Sequence, residues 1–219
     1  MSRLKLRLRI MVVDDHPMMR DGLVMRISSQ SDMEVCGEAE SEDGAVELAK
    51  QVCPDLALID ISLKSGDGIE LIKRLRMLNS STKMLVVSAF QESLYAERAM
   101  RAGALGYLNK QESNEKLIEA IRAVCHGERY VSSDITQRLV SQALGKRSET
   151  QNPIELLTDR ELEVFKLIGL GHSTSSIANK LFLSTHTIDT HRENIKRKLG
   201  CKNGADLIRQ AIQSMLESG

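Results

Sequence analysis

Four short apolar segments, each ending beside a polar residue, constrain the fold of this 219-residue chain more than any other feature. They span residues 10–13, 56–59, 84–87 and 106–108, and each is followed by a stretch with helical periodicity. Short runs rich in β-forming residues that lead into helices are typical of buried parallel strands in βα units. The pattern therefore predicts an α/β sandwich with right-handed crossovers.

Strand and helix alternate five times between residues 9 and 127. A further strand is predicted at residues 34–39, and helices are predicted near residues 18–28, 43–51, 69–78, 94–102 and 114–125. This alternation predicts a doubly wound, five-stranded parallel sheet of strand order 2-1-3-4-5. In such a sheet, ligands bind at the carboxyl ends of the strands.

The polar residues at those strand ends form a chemically coherent set: Asp14 and Asp15, Asp60, Ser88 and Lys110. Because the carboxyl ends meet at one edge of the sheet, we expect these side chains to converge. Three carboxylates held together repel one another unless a cation lies among them. Mg²⁺ fits, because it binds a few carboxylate oxygens and completes its shell with water and phosphate oxygens. The set predicts a site for Mg²⁺ and a phosphoryl group.

Each of these residues also has a plainer interpretation when it is taken alone. An aspartate at a strand end is often the N-cap of the next helix, and a lysine is usually a surface charge. Their joint placement at the ends of several strands favours the phosphoryl site, in which an aspartate can act as a nucleophile. His16 could bind a metal ion, but a loop residue preceding Pro17 is the plainer interpretation.

The segment from about residue 9 to 125 resembles a response-regulator receiver domain. The matching stretches are residues 13–17, 58–61, 66–70, 87–89 and 103–110. One departure is the loop at residues 62–66, which lacks the proline that usually follows the phosphoacceptor in this family. Lys64 in that loop also brings a cation near the site, so the departure bears on the loop conformation and on the lifetime of the phosphoryl group.

The resemblance implies a role for each polar residue of the set. Asp60 would accept a phosphoryl group from a phosphohistidine on a partner sensor kinase. Mg²⁺ and the phosphoryl group would be bound by other residues of the pocket, and an aromatic switch would respond to them. By resemblance, the Mg²⁺ ligands are Asp14, Asp15, Asp60 and the Ser62 carbonyl, the phosphoryl-binding residues are Ser88 and Lys110, and the switch is Tyr107.

A different pattern follows residue 127, where the alternation of strand and helix stops. One more helix is predicted at residues 133–144, and residues 145–153 are polar and read as a flexible linker. The C-terminal part is all helical, with a capping box formed by Thr158 and Glu161 at its start. Its last helix, residues 205–216, is predicted to bury Leu207, Ala211, Ile212 and Met215, which recur at helical spacing.

The helix at residues 173–181, the turn at 182–184 and the helix at 185–199 form a helix-turn-helix, whose second helix would enter the major groove of DNA. Residues 157–216 resemble a LuxR-type domain of the NarL/FixJ class. The matches are residues 157–161, 169–171, 177–178, 183–184, 187–188, 191 and 198–200. We therefore predict a receiver domain at residues 1–127, a linker with a helix at 128–153, and a four-helix DNA-binding domain at 154–219.

The resemblance also assigns the DNA contacts. Asp189, Thr190 and Glu193 would read base edges, whereas Thr187, Arg192 and Lys196 would lie near the phosphate backbone. Two of these three predicted base-contacting residues are acidic, and an acidic side chain can accept a hydrogen bond from cytosine N4. We therefore hypothesise a cytosine opposite Asp189 or Glu193. The last helix would pair two copies through Leu207, Ala211, Ile212 and Met215.

Composition excludes several other classes of protein. The chain has 30 basic and 30 acidic residues, so its net charge neither favours nor excludes nucleic-acid binding. Its four cysteines form no CxxC pair, which argues against a zinc site or a disulfide framework. No apolar run is long enough to span a membrane, and the N-terminal alternation of basic residues and leucines is not typical of a signal peptide. We expect a cytoplasmic protein.

The sequence argues against two classes of enzyme. A haloacid-dehalogenase-type enzyme also combines a nucleophilic aspartate with Mg²⁺, but it needs a second aspartate two residues later, where Ser62 stands. For an esterase-type output, residues 171–175 lack the final glycine of a nucleophile elbow. The sequence predicts a transcription regulator whose DNA binding is controlled by phosphorylation of Asp60. The alternative is a regulator that binds DNA without phosphorylation and uses its receiver for dimerisation.

Overall fold

The computed structural model describes residues 7–63, 66–89, 92–133, 135–137, 140 and 153–217. The chain divides into two compact units, residues 1–137 and 138–219. The described residues of the predicted helix at 133–144 are helical, but the others, and the linker at 145–152, lie outside the described residues. The domain boundaries at residues 127 and 153 therefore stay a prediction.

The first unit contains the predicted sheet. Its five strands pair in parallel in the order β2-β1-β3-β4-β5, which confirms the predicted topology. The strands are β1 (Leu8–Val13), β2 (Met33–Ala39), β3 (Leu56–Ile59), β4 (Lys83–Ser88) and β5 (Gly106–Asn109). All four residues of β3 and the last four of β1 are buried, which explains why these segments read as continuous apolar runs.

Helices cover both faces of this sheet. They are α1 (Pro17–Ser28), α2 (Glu42–Val52), α3 (Gly68–Leu78), α4 (Glu92–Ala102) and α5 (Asn114–Cys125). Helices α1 and α5 share one buried cluster with Ile10, Leu58 and Leu85 of the strands. Because neighbouring strand residues point to opposite faces, Met11 and Ile59 face the other layer, where α2, α3 and α4 pack against one another in turn.

The chain that follows α5 returns to the outer edge of β5. Tyr130 forms a parallel bridge with Gly106, in which the Tyr107 amide donates to the Tyr130 carbonyl at 2.8 Å and the Tyr130 amide donates to the Leu105 carbonyl at 3.0 Å. A Cβ on Gly106 would lie 2.9 Å from that Tyr130 carbonyl oxygen. Glycine at position 106 therefore allows the close approach of the returning chain.

The described residues of the second unit form helices and no strand, as predicted. A 3-10 helix at Pro153–Leu156 precedes α6 (Asp159–Gly169), α7 (Thr174–Lys180), α8 (Thr185–Leu199) and α9 (Gly204–Glu217). Thr158 and Glu161 form the predicted capping box at the start of α6. Helix α8 begins after Ser184, whose side chain accepts a hydrogen bond from the Thr187 amide, and it ends at Gly200 with a left-handed φ of 67°.

The predicted burial of the last helix is partly wrong. Leu207 and Ala211 are buried, but Ile212 is 43% exposed. A Cβ on Gly169 would lie 2.7 Å from the Ala211 carbonyl oxygen and 2.8 Å from Met215 Cγ, so this side of α9 packs closely against α6. Ile212 lies on the neighbouring stripe, together with Ile208 and Leu216, which are also exposed.

Candidate functional site

The carboxyl edge of the sheet brings three aspartates together. Asp14 and Asp15 follow β1, and Asp60 follows β3, its direct neighbour in the sheet. Their exposed fractions are only 1%, 5% and 3%. A buried carboxylate is costly unless it is paired or neutralised, so three of them in one place indicate a site that binds positive charge.

Lys110 is the positive side chain that reaches this pocket. Its Nζ lies 2.7 Å from Asp14 Oδ2 and 2.8 Å from Asp60 Oδ2, and its side chain is 7% exposed. The Lys110 amide also donates to the Ser88 carbonyl at 2.8 Å, which fixes the end of β5 beside the end of β4. The structure thus brings together Asp14, Asp60 and Lys110, as the sequence predicted.

The charges in the pocket shift the pKa values of its members. Burial raises the pKa of Asp60 above its usual value, and the nearby Asp14 charge adds to this effect, although Lys110 opposes it. Burial would lower the pKa of Lys110, but the charges and hydrogen bonds of Asp60 and Asp14 outweigh burial and raise it. One lysine therefore only partly balances the three carboxylates.

The donor atoms in the pocket suit a hard divalent cation. Asp14, Asp15, His16 and Asp60 each offer one ligand atom, and these four atoms lie within 4.8 Å of one another. Three of the four are carboxylate oxygens, the ligands that Mg²⁺ prefers. His16 is half-exposed, and its Nδ1 lies 2.8 Å from Asp15 Oδ1. The Ser62 amide donates to Asp60 Oδ1 at 3.2 Å, whereas a role for the Ser62 carbonyl stays a prediction.

Ser88 and Tyr107 form a second polar contact at this edge. Ser88 is fully buried, Tyr107 is 2% exposed, and their side chains share a hydrogen bond. Burial raises the pKa of Tyr107 above its usual value, although the Ser88 hydrogen bond opposes the shift. The side chain of Tyr107 is therefore already buried in the receiver in this structure.

Sequence reasoning did not single out Glu42, which contacts the loop after Asp60, or Arg74, which pairs with Glu42. Glu42, at the start of α2, accepts a hydrogen bond from the Asp67 amide, and Arg74 of α3 pairs with Glu42. Glu42 lies 25 positions from Asp67 and 32 positions from Arg74 in the sequence, so no local pattern could have predicted these contacts.

In the second unit, α7, the turn and α8 form the helix-turn-helix. Phe182 in the turn has a left-handed φ of 53°, and Ile177, Ala178 and Ile188 are buried between the helices. Of the six predicted DNA-contacting residues, Asp189, Thr190 and Glu193 are exposed, whereas Thr187, Arg192 and Lys196 are partly buried. The predicted readers therefore lie on the open side of α8.

The polar groups on α8 already interact with one another. Glu193 Oε1 lies 2.6 Å from Lys196 Nζ, so a predicted base reader is paired with a predicted backbone contact. The Thr190 hydroxyl donates to the His186 carbonyl at 3.0 Å. Asp189 forms no ion pair among the residues that the structure describes, which leaves its carboxylate oxygens available to a ligand.

Of the predicted dimer-forming residues, Leu207 and Ala211 are 0% and 1% exposed. They therefore belong to the core of their own unit and are closed to a second chain in this conformation. Met215 is partly buried beside Gly169, and only Ile212 of the four is exposed. Leu207 and Ala211 are thus core residues in this structure, and pairing of two copies through α9 stays a prediction.

Comparison with known proteins assigns each unit to a domain family. The family model described as "Response regulator receiver domain" matches residues 10–122. The model described as "Bacterial regulatory proteins, luxR family" matches residues 155–211. The "Oxygen regulatory protein NreC" of Staphylococcus aureus (strain MRSA252) is 33% identical over 214 residues, which are 95% of this chain and 99% of NreC.

Solved structures give the same result. The response regulator ChrA of a heme-sensing two-component system is 30% identical, and the match covers 96% of this chain and 98% of ChrA with a TM-score of 0.52. RcsB from Salmonella enterica serovar Typhimurium, bound to promoter rprA in the presence of the phosphomimetic BeF3-, is 23% identical with a TM-score of 0.69, over 94% of this chain and 98% of RcsB. The RcsB likeness supports the fold alone.

The described residues contain no candidate membrane span. None of their helices is both long enough and apolar enough to cross a bilayer.

Proposed function

The chain belongs to the response-regulator family of the NarL/FixJ class, and from this premise we propose that Asp60 accepts a phosphoryl group that controls DNA binding by the C-terminal helices. The family joins a receiver domain to a LuxR-type DNA-binding domain, so the chain is a two-component transcription regulator. The observation that supports the role of Asp60 is its buried position beside Lys110, whose ammonium group also pairs with Asp14.

The phosphoryl donor would be a phosphohistidine on a sensor kinase. An Asp60 carboxylate oxygen attacks phosphorus, the phosphorus–nitrogen bond to the imidazole breaks, and an acyl phosphate forms on Asp60. Lys110 would pair with the new negative charge, and Ser88 would donate a hydrogen bond to a phosphoryl oxygen. The pocket needs this support because phosphorylation adds about −1.5 to −2 of charge to it.

Asp14, Asp15, Asp60 and the Ser62 carbonyl would hold Mg²⁺. When bound, the ion neutralises charge on the carboxylates and on the incoming phosphoryl oxygens. The donor set supports this assignment because its carboxylate oxygens lie close together. In addition, the single positive charge of Lys110 does not neutralise all three aspartates. His16 lies at the rim of the same cluster and would be at most an outer contact.

Ser88 and Tyr107 would carry the signal away from Asp60. Movement of Ser88 toward the phosphoryl group would remove the hydrogen bond that it shares with Tyr107. Tyr107 would then lose its hydrogen bond to Ser88. As a result, the packing of α4 and β5 around the tyrosine side chain would change. To move a switch from mostly off to mostly on, about 5.5 kcal/mol of differential stabilisation is needed.

The output would be binding of promoter DNA as a homodimer. Helix α8 would enter the major groove with Asp189, Thr190 and Glu193 toward the bases. On α9, two copies would pair through Ile212 and its exposed neighbours Ile208 and Leu216. Exposed apolar side chains at helical spacing on one helix suit an isologous contact between two copies.

The deciding experiment compares the full-length protein with Asp60→Asn, using labelled acetyl phosphate and Mg²⁺. We expect label on the wild-type protein and none on Asp60→Asn, because the amide is not a nucleophile that can form the acyl phosphate. Asp21→Asn, an exposed change on α1, is the control and should keep the label. Light scattering with beryllofluoride should show dimerisation for the wild type and the control only.

Label that persists on Asp60→Asn would refute the role of Asp60. Equal DNA binding and equal dimerisation of both proteins, with and without beryllofluoride, would favour the alternative regulator that does not use phosphorylation.

A further inference from the structure

The peptide group that joins Asp14 to Asp15 lies just beyond the end of β1. On one side of the strand, the Asp14 amide donates to the Ala39 carbonyl of β2 at 3.1 Å. On the other side, the Asp60 amide donates to the Val13 carbonyl at 2.9 Å. The Asp14 carbonyl is the next acceptor along the chain, in a residue that is 1% exposed. A buried carbonyl needs a donor, and here the sheet has come to its end.

A side chain of α1 donates to this carbonyl. Arg20 Nη1 donates to the Asp14 carbonyl oxygen at 2.7 Å, and the Arg20 side chain is only 17% exposed. The Arg20 amide donates to the His16 carbonyl at 3.0 Å, which places the residue in the first turns of α1. The guanidinium group thus reaches back to the peptide group between two of the proposed Mg²⁺ ligands.

Glu38 of β2 orients the guanidinium group. Arg20 Nε lies 3.3 Å from Glu38 Oε2, while Nη1 of the same group donates to Asp14. Because the guanidinium is planar and its donors have a fixed geometry, two partners on different nitrogens hold it in one orientation. The carboxylate of Glu38 also balances the positive charge of Arg20.

The carboxylates of Asp14 and Asp15 are attached on either side of the peptide group that Arg20 holds. Asp14 Oδ1 accepts a hydrogen bond from the His16 amide at 2.8 Å, and Asp14 Oδ2 lies 2.7 Å from Lys110 Nζ. Both of these contacts depend on where the backbone places Asp14. A shift of the peptide group would therefore move the donor atoms of both aspartates.

We propose that Arg20 is a positioning residue for the Mg²⁺ site: by holding the Asp14 carbonyl, it fixes the relative position of the Asp14 and Asp15 carboxylates and strengthens binding of the ion. The inference rests on the proposed function, in which these carboxylates bind Mg²⁺. Residues that orient metal ligands without touching the metal contribute about 10- to 100-fold to affinity. Arg20 contacts the backbone of a ligand residue, so it acts through that residue.

The charge of Arg20 would have the opposite effect on Mg²⁺. A positive charge near the aspartates repels the ion, and loss of Arg20 would also remove the cation that faces Glu38. Electrostatics alone would therefore make Mg²⁺ bind more tightly when Arg20 is replaced by an uncharged residue. Loss of the positioning hydrogen bond would make Mg²⁺ bind more weakly. The direction of the change therefore distinguishes the two effects.

The test uses the full-length protein and three variants. Arg20→Met removes the donors and the charge but keeps an unbranched side chain, whereas Arg20→Lys keeps a cation but loses the fork of donors. Arg26→Met is the matched control, because it removes an arginine from the last turn of the same helix. Three quantities are measured: Mg²⁺ affinity by calorimetric titration, hydrogen exchange of the His16 amide without Mg²⁺, and the Mg²⁺ dependence of labelling by acetyl phosphate.

We expect Arg20→Met to weaken Mg²⁺ binding about tenfold and to raise the half-saturating Mg²⁺ concentration for labelling by the same factor. The labelling rate at saturating Mg²⁺ should return close to that of the wild type, because Asp60 itself is intact. The His16 amide should exchange several-fold faster in the metal-free variant, since its acceptor is Asp14 Oδ1. Arg20→Lys should lie between Arg20→Met and the wild type, and Arg26→Met should match the wild type throughout.

Unchanged or tighter Mg²⁺ binding in Arg20→Met would overturn the inference, and so would weaker binding with unchanged exchange of the His16 amide. A merely structural role would lower the melting temperature and leave the half-saturating Mg²⁺ concentration unchanged well below it. An equal effect of Arg26→Met would also overturn the inference, since the contact with Asp14 would then be irrelevant.

Failure of the proposed function would look different. A wild-type protein that takes up no label at any Mg²⁺ concentration refutes the proposed function itself. A labelled wild type whose Mg²⁺ dependence is the same as that of Arg20→Met refutes only the role of Arg20.

Discussion

Each unit of the molecule buries a carboxylate against a lysine, but the two arrangements differ in their balance of charge. In the receiver, Lys110 Nζ lies 2.8 Å from Asp60 while Asp14 and Asp15 are buried beside it. In the second, helical unit (the output unit), Lys198 Nζ lies 2.6 Å from Glu161, which is the only buried carboxylate among the described residues of that unit. Glu161 also accepts a hydrogen bond from the Thr158 amide at 2.7 Å.

Because of this difference in charge balance, the pKa of Asp60 is raised and the pKa of Glu161 is lowered. Burial raises the pKa of Asp60, and Lys110 does not overcome it. Burial would also raise the pKa of Glu161, but hydrogen bonds from Lys198 and Thr158 outweigh it and hold the pKa below its usual value. A balanced pair thus stabilises its own unit, whereas an unbalanced cluster retains the capacity to bind an added cation.

Removal of the lysine from the unbalanced cluster should have the largest effect on stability. Lys110→Met leaves Asp14 and Asp60 buried without their shared partner, and breaking such a buried pair costs about 3 kcal/mol or more. We expect calorimetry of the full chain to show a lower transition for the receiver only. Lys198→Met is the matched control for the output unit, where one carboxylate is left. A larger loss of stability in Lys198→Met than in Lys110→Met would contradict the idea that the receiver cluster depends more strongly on its lysine.

Neutralising the balanced pair should have a smaller, pH-dependent effect. Glu161→Gln keeps the capping geometry but loses the charge opposite Lys198, and should lower the free energy of unfolding of the output unit by about 2 kcal/mol at neutral pH. Because the pKa of Glu161 is depressed in the folded state, its contribution is present above its usual value of 4.5 and is lost as the pH falls through the lower folded value.

The pH dependence is measured by repeating the unfolding experiment between neutral and acidic pH. The deficit of Glu161→Gln should shrink below about pH 4.5, because the wild type then loses the same contribution. A deficit that is constant down to acidic pH would show that the charge of Glu161 does not matter.

Neutralising one carboxylate of the unbalanced cluster should stabilise its unit instead of destabilising it. Asp15→Asn removes one of three neighbouring charges while both contacts of Lys110 are kept, so without Mg²⁺ it should stabilise the receiver by about 1 kcal/mol. Added Mg²⁺ should stabilise the wild type more than the variant, because ligand binding favours the folded state. A destabilised Asp15→Asn receiver in the presence of EDTA would contradict the idea of unbalanced charge.

The smallest expected effect concerns DNA recognition. Asp189→Ala should relax the preference for cytosine at one operator position by about 1 kcal/mol, measured by binding-site selection on random DNA. Glu193→Ala should change the preference less, because Glu193 is already paired with Lys196. An unchanged preference in Asp189→Ala would remove this residue from the set of base readers.

The strand order and the members of the acidic pocket could be predicted from the sequence for one reason. Buried parallel strands leave continuous apolar runs, and the residues directly after Val13 and Ile59 must then lie at the same edge of the sheet. The contacts of Glu42 with Arg74 and of Glu161 with Lys198 join distant parts of the chain. They depend on how helices pack, which no local pattern encodes.

The last helix shows a different limit. Helix α9 carries two apolar stripes one residue apart, Leu207 with Ala211 and Ile208 with Ile212. Both stripes satisfy helical spacing, and periodicity alone cannot tell which one faces the core. The contact of Gly169 with Ala211 decides it, because only a residue without a side chain on α6 allows α9 to approach so closely there.

The return of the chain at Tyr130 has a consequence for how this protein behaves in a crowded cell. An open outer strand offers amide and carbonyl groups on which stray extended polypeptides can assemble. At β5 the protein satisfies such groups with its own backbone, at Leu105 and Tyr107. Because these groups are already paired with Tyr130, the outer edge of β5 is less open there to aggregation through strand addition.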